Sequence, residues 1–264
     1  MTSWTIDPDS IRALLNTAWL GRDIAYTEET ASTNADARAL AASGARAGTV
    51  ALCARQTAGR GRRGRGWLAD EKGSLCFSLI LKPSFSMELA PRLAVATAMG
   101  VCAALRRFCP DAMIKWPNDI LSGGCKLCGI LLEAEARPAG SPSVIAGIGI
   151  NVNTAGFDPD IATTASSILL RTGLVHDKNE VLAETLNALE PYYDRCDSQE
   201  GYASMLEEYA ALSCTLGRRV RVSGAGLETE GVALALDGLG RLTIKKPSGE
   251  RVTVSAGDVS LREA

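Results

Sequence analysis

An α/β (α+β) protein is predicted from this sequence, with helices and strands mingled in a large body and a small all-β barrel after it. Two textures along the chain carry that prediction. Up to about residue 214, short runs rich in strand formers alternate with longer segments of helical spacing. Beyond Gly217, short β-like pieces follow one another between glycine turns. The length of 264 residues accommodates one large domain and one small one, so the expected division is 1–214 and 215–264.

Taken in order, Asp7-Pro-Asp-Ser10 opens a capped helix through Ile11, Leu14 and Leu15 that is expected to end near Gly21. Ser32-Thr-Asn34 caps a second helix through Leu40, stopped at Gly44. Thr49–Ala54 and Leu75–Leu81 read as strands on either side of a basic loop. Glu88–Phe108 is apolar and alanine-rich, a long helix. Strands are expected at Met113–Trp116, Leu127–Glu135 and Val144–Val152, then helices over about Lys178–Cys196 and Gly201–Leu212. The tail offers Arg219–Val222, Val232–Leu236, Leu242–Lys245 and Val252–Val254 as barrel strands. A β unit of under about 60 residues leans on neighbouring surface for stability.

The basic loop is the most informative segment. Arg55-Gln-Thr-Ala-Gly-Arg-Gly-Arg-Arg-Gly-Arg-Gly-Trp67 gathers Arg55, Arg60, Arg62, Arg63 and Arg65, broken by glycines and free of acids. Like charges repel, and guanidinium forks match phosphate and carboxylate oxygens. Glycine lets backbone N–H groups approach an anion. The expectation is a mobile loop that orders over an anionic ligand. Arginine–glycine runs also occur in disordered RNA-binding tails. This one stands between two strands of a chain with net charge −2, whereas a nucleic-acid binder would usually be basic overall.

Composition narrows the rest. Hydrophobic residues at 46% and charged residues at 22% suit an ordinary globular protein. No apolar run is long enough to span a bilayer, and the first residues lack the basic and apolar regions of a secretion signal. The cytoplasm is the default compartment. Cys53, Cys76, Cys102 and Cys214 sit in apolar stretches and read as buried thiols in a reducing setting. Cys125 and Cys128 form a Cys-x-x-Cys pair without the further ligands that zinc requires, so no metal site is assigned. His176 is the only histidine, which nearly excludes His-dependent triads. Gly147-Ile-Gly-Ile-Asn-Val-Asn153 begins like a dinucleotide fingerprint but lacks its third glycine. Catalysis is therefore expected from Arg, Lys, backbone amides and a bound cation, as in phosphate chemistry.

Lys115-Trp-Pro-Asn-Asp119 ends a strand in a proline-fixed turn that offers a lysine, an amide and a carboxylate together. Pro-Asn-Asp would also suit a plain surface turn. Lys126 heads the strand Leu127-Cys-Gly-Ile-Leu-Leu-Glu133. Together with Ser32-Thr-Asn34, Gln56, the Gly59–Arg65 run, Trp67 and Gly147–Asn153, in this order and spacing, these blocks resemble the biotin protein ligases, also called biotin–[acetyl-CoA-carboxylase] ligases. The resemblance extends over nearly the whole chain, including the β tail ending Ser260-Leu-Arg262.

The resemblance implies a mixed sheet with flanking helices, of the class II aminoacyl-tRNA synthetase-like ligase type, plus an SH3-like C-terminal barrel. It implies a ligase that joins biotin and ATP, with Mg2+, into biotinyl-5′-AMP and passes biotin to one lysine of a biotin carboxyl carrier domain. It puts Ser32, Thr33, Asn34, Gln56, Arg60, Gly61, Arg62, Lys126 and Gly129 around biotin. It puts Arg63, Arg65, Trp67, Asn118, Asp119, Asn151 and Arg262 toward the nucleotide. Lys115 and Arg62 are expected to be catalytic, with Lys115 where carboxylate and α-phosphate meet. About 30 residues before Ser32 are too few for the winged helix of some members plus a linker. No DNA or membrane partner is expected, and a homodimer stays open. A lipoate ligase would share the fold but would not be expected to combine the arginine loop with Lys-Trp-Pro-Asn-Asp. A non-enzymatic nucleic-acid module would show salt-sensitive binding without ATP use.

Overall fold

The computed structural model describes residues 5–67, 69–70, 72–135, 142–224 and 227–261. Seven strands build the main sheet: β1 Ile24–Thr30, β2 Val50–Gln56, β3 Ser74–Leu81, β4 Met113–Lys115, β5 Asp119–Ser122, β6 Cys125–Glu135 and β7 Ser143–Asn151. Their order is β1-β2-β3-β7-β6-β5-β4. β1 and β2 run parallel and the other neighbours antiparallel, so the sheet is mixed as expected.

Side chains alternate across a strand, and here the two faces meet different neighbours. From β3 and β7, Leu75, Phe77, Leu79, Leu81, Val144, Ala146, Ile148 and Ile150 join the main core. That core lies under α3 (Arg92–Leu105), α5 (Lys178–Arg195) and α6 (Gln199–Leu212). On the opposite face, Ile80 and Ile145 pack with Ala51 beneath Ala37 and Ala41 of α2 (Thr33–Ala42). α2 covers only part of this face. Gly129, Gly147 and Gly149 occupy the rest, paired in register as Gly129↔Gly149 and Leu131↔Gly147.

Several elements differ from expectation for identifiable reasons. The first helix, α1, stops at Ala13 instead of running to Gly21. The backbone N–H groups of Ala18, Trp19 and Leu20 donate instead to the Glu190 carboxylate on α5, at 2.6, 2.9 and 2.8 Å, which satisfies a buried acid. α3 begins at Arg92, after a 3-10 turn at Met87–Leu89 and with Pro91 at its N-cap. The edge strand β1, the four-residue β5 and the short α4 (Ile168–Thr172) were not expected.

The C-terminal strands are β8 Arg219–Gly224, β9 Leu227–Leu236, β10 Leu242–Lys245, β11 Arg251–Val254 and β12 Asp258–Leu261. They form a small SH3-like antiparallel sheet in the order β11-β10-β9-β8-β12. Its core of Val220, Val222, Ala233, Leu242, Ile244, Val254 and Val259 also takes in Trp116 from the main body.

Candidate active site

The uncovered part of the α2 face is the floor of a cleft. Glycine is needed there: a Cβ on Gly147 would strike Asn34 Oδ1, and one on Gly149 or Gly129 would strike the Trp67 indole. The floor also exposes Cys76, whose burial pushes the thiol up to about 11 while the Trp67 indole N–H pulls it down. The pattern Gly-Ile-Gly-Ile is thus a period-2 strand signal, apolar on the core face and bare on the cleft face, and not a fragment of a nucleotide fingerprint.

One end of the cleft is polar. Ser32 stands at the N-cap of α2 but makes no side-chain cap bond; it lines the cleft instead. Gln56 Oε1 accepts from the Thr33 backbone N–H at 2.9 Å. The Thr33 hydroxyl, the Ser78 hydroxyl and the Asn34 amide form a buried cluster behind them.

The other end is cationic. Lys126 Nζ lies 2.7 Å from Asp119 Oδ1 and 5.6 Å from the Trp67 ring centre. The arginine loop closes on itself through Gly61 N–H to Arg65 O at 2.7 Å and Trp67 N–H to Gly59 O at 2.9 Å. Arg62 donates to Asn118 Oδ1 at 2.9 Å and to Gly257 O at 3.3 Å. Burial depresses its pKa, against the attraction of Asp258. Arg63, at φ 58°, donates to Ser223 O at 2.9 Å and pairs with Asp258, as does Arg65. The expectation of an acid-free run without partners is therefore corrected: Asp258, from β12, is the acid that answers it.

All nine residues expected around biotin line this cleft, as do Arg65, Trp67, Asn118 and Asp119. Three residues expected at the site lie elsewhere. Lys115 is not brought to the cleft; its charge acts on Cys214. Arg63 points to the C-terminal sheet. Asn151 is buried, its amide donating to Ser166 O at 3.0 Å. Arg262 lies outside the described residues. Cys76, Gly147, Gly149 and Asp258 line the cleft without having been assigned to it.

Two family models match the chain: the Biotin/lipoate A/B protein ligase family over residues 26–153, and the Biotin protein ligase C terminal domain over residues 215–262. A biotin–[acetyl-CoA-carboxylase] ligase from Mycobacterium tuberculosis is 36% identical over 266 residues, spanning 96% of this chain and 95% of its own. The chain belongs to the biotin protein ligase family. A ligase of the same name from Paracoccus denitrificans is 34% identical over 86% of this chain and 96% of its own length. Among solved structures, the biotin protein ligase from Aquifex aeolicus in complex with biotin and ATP superposes with a TM-score of 0.77 at 28% identity, covering 92% of this chain and 100% of that one. For a biotin protein ligase family member, the polar and cationic ends of one cleft have an evident division of labour.

Proposed function

We propose that the cleft activates biotin as biotinyl-5′-AMP and then hands it to one lysine of a carboxylase carrier domain. One observation carries this reading: a polar end suited to a urea and a cationic end suited to phosphates share one cleft. In the first step a biotin carboxylate oxygen attacks the α-phosphorus of ATP, the bond to the β-phosphate oxygen breaks, and pyrophosphate leaves. Two anions must approach one another, and fixed cations lower that barrier.

Arg60, Arg62, Arg65 and Lys126 supply such cations. We assign Lys126, not Lys115, to the charge where carboxylate and α-phosphate meet. An ammonium is a compact point charge, and Asp119 holds this one in the cleft. In the second step the acceptor amine attacks the acyl carbon, the acyl C–O bond breaks, and AMP leaves.

Ser32, Thr33, Asn34, Gln56, Arg60, Gly61, Arg62, Lys126 and Gly129 are the proposed biotin set. Arg65, Trp67, Asn118 and Asp119 are the proposed nucleotide set, with Arg63 supporting the loop from outside. The described side chains do not make a cage for Mg2+. The cleft carboxylates Asp119 and Asp258 are each engaged by a cation, and no group of three metal-ligating acids, histidines or cysteines occurs among the described residues. The ion belongs with the nucleotide phosphates, as is usual for Mg2+. A cytoplasmic setting suits the consumption of ATP. No described helix is long and apolar enough to cross a membrane.

Incubation with biotin and MgATP, with mass spectrometry for biotinyl-AMP, tests the reading. Lipoate serves as the parallel substrate. Biotin-dependent adenylate and pyrophosphate are expected. Adenylate from lipoate alone would assign the sister activity, and adenylate from neither would overturn the proposal.

A further inference from the structure

Behind the polar end of the cleft, a chain of hydrogen bonds runs to the protein surface. Glu133, on β6, has its carboxylate 2.7 Å from Asn34 Nδ2 and 3.2 Å from Arg38. A carboxylate paired with a guanidinium only accepts, so the Asn34 amide is fixed with its nitrogen toward Glu133 and its oxygen inward. Asn34 Oδ1 lies 2.6 Å from Ser78 Oγ, Ser78 Oγ lies 2.7 Å from Thr33 Oγ1, and Thr33 Oγ1 lies 3.2 Å from Gln56 Oε1. Ser78, Thr33 and Asn34 are 0%, 4% and 5% exposed, so bulk water does not arbitrate among them.

Two hydroxyl protons must serve three oxygen–oxygen contacts. Asn34 Oδ1 and Gln56 Oε1 can only accept. Gln56 Oε1 already receives the Thr33 backbone N–H at 2.9 Å, and its contact with the Thr33 hydroxyl is the longest of the three. The two short contacts therefore take the protons. Ser78 donates to Asn34, and Thr33 donates to Ser78. Toward the cleft, Thr33 Oγ1 then offers lone pairs only. Gln56, its oxygen engaged, presents its Nε2 amide as a donor on the same side.

We propose that Glu133 and Ser78 are specificity-determining positioning residues. They fix the direction of this chain so that Thr33 accepts from, and does not donate to, the bound ligand. That polarity selects a ring N–H of a cyclic urea and rejects an isosteric ring oxygen, which would face lone pairs with lone pairs. The inference rests on the biotin reading of the cleft. It goes beyond that reading by naming residues that act through Asn34 and Thr33.

In Glu133→Gln the neighbour of Asn34 can itself donate. Asn34 can then turn its nitrogen to Ser78, which reverses the chain and frees the Thr33 proton to point into the cleft. Ser78→Ala frees the same proton by another route. Titration calorimetry would compare biotin with its two cyclic carbamate analogues, each with one ureido N–H replaced by oxygen. The wild type is expected to prefer biotin over at least one carbamate by on the order of 10- to 100-fold, the scale of a buried unmatched polar group. Both variants should narrow that ratio about 10-fold.

The ratio is insensitive to the folded fraction of a variant and to a general loosening of the cleft, which would weaken both ligands alike. An unchanged ratio in Glu133→Gln overturns the proposal. If that variant does not fold, an unchanged ratio in Ser78→Ala does so. A wild type without the preference does so too. Biotinyl-AMP formation by the same wild-type preparation separates the two levels. Adenylate with an unmoved ratio defeats this inference alone, whereas absent adenylate defeats the biotin reading.

Discussion

The indole N–H of Trp116 donates to the carbonyl of Gly240, 2.9 Å away, and so ties the Lys-Trp-Pro-Asn-Asp block to the C-terminal sheet. The Trp116 backbone N–H donates to Thr215 Oγ1 at 3.0 Å, and the ring is almost wholly buried in the core of that sheet. Two residues on, Asn118 accepts from Arg62, and Arg62 returns to the same sheet at Gly257. Turn, loop and C-terminal sheet therefore close a circuit around the cationic end of the cleft. A small β unit gains stability from this borrowed tryptophan, and the turn gains a fixed position.

Trp116→Ala should destabilise the chain by about 3–5 kcal/mol, the usual cost of truncating a buried tryptophan. Trp116→Phe keeps most of the burial but loses the bond to Gly240, and should cost about 1 kcal/mol. Urea denaturation followed by tryptophan fluorescence and circular dichroism would measure both. A near-zero cost for Trp116→Ala would show that the tie is not structural.

Lys126→Ala should slow adenylate formation on the order of 10²–10³-fold, the scale of one electrostatic stabiliser. Lys115→Ala should leave the rate nearly unchanged, because Lys115 stands outside the cleft. Stopped-flow measurement of the two variants side by side decides between the lysines. A large loss in Lys115→Ala would restore the assignment made from sequence.

Arg62→Gly removes the bonds to Asn118 and Gly257 but leaves Lys126 and Asp119 in place. The variant is expected to make biotinyl-AMP and release it, so that lysines of an added bystander protein become biotinylated. Mass spectrometry of that bystander reads the effect. If the intermediate neither forms nor escapes, Arg62 belongs to the chemical step.

Cys76 should resist iodoacetamide at pH 8 in the folded protein, because burial pushes its thiol from 9.0 up to about 11 and keeps it neutral. Burial likewise pushes Cys53, Cys102 and Cys196 up to about 12. A raised folded-state pKa contributes stability that is fully present below the ordinary value near 9 and is lost as pH rises through 11–12. Urea midpoints should therefore hold steady up to about pH 8.5 and fall between pH 9 and 11. Rapid alkylation of Cys76 at pH 8 would contradict its burial.

Much of the body was legible in the sequence, because its signals are local. β2, β3, β6 and β7 are apolar runs bounded by glycines and charges, and α3, α5 and α6 show continuous helical spacing. β1 escaped notice because an edge strand leaves one side to solvent, which lets Glu28 and Glu29 dilute the pattern. β5 is too short for any period to register. The cleft residues that were legible, such as Gln56, Arg60, Lys126 and Gly129, belong to short dense blocks. Gly147 and Gly149 were visible but were measured against a nucleotide-loop template instead of a strand's period of two.

By itself, then, the sequence determined the elements, their order, the family and most of the cleft's polar groups, since each depends on residues a few positions apart. Only the tertiary structure decided which lysine reaches the cleft, which acid answers the arginines and which groups orient Asn34. Asp258 meets Arg65 across 193 residues of chain, and Glu133 meets Asn34 across 99. Such meetings follow from the share of the sheet face that α2 leaves bare and from the seat of Trp116 in the C-terminal core. Both are outcomes of packing summed over the whole chain, and packing leaves no periodic mark in any short stretch of sequence.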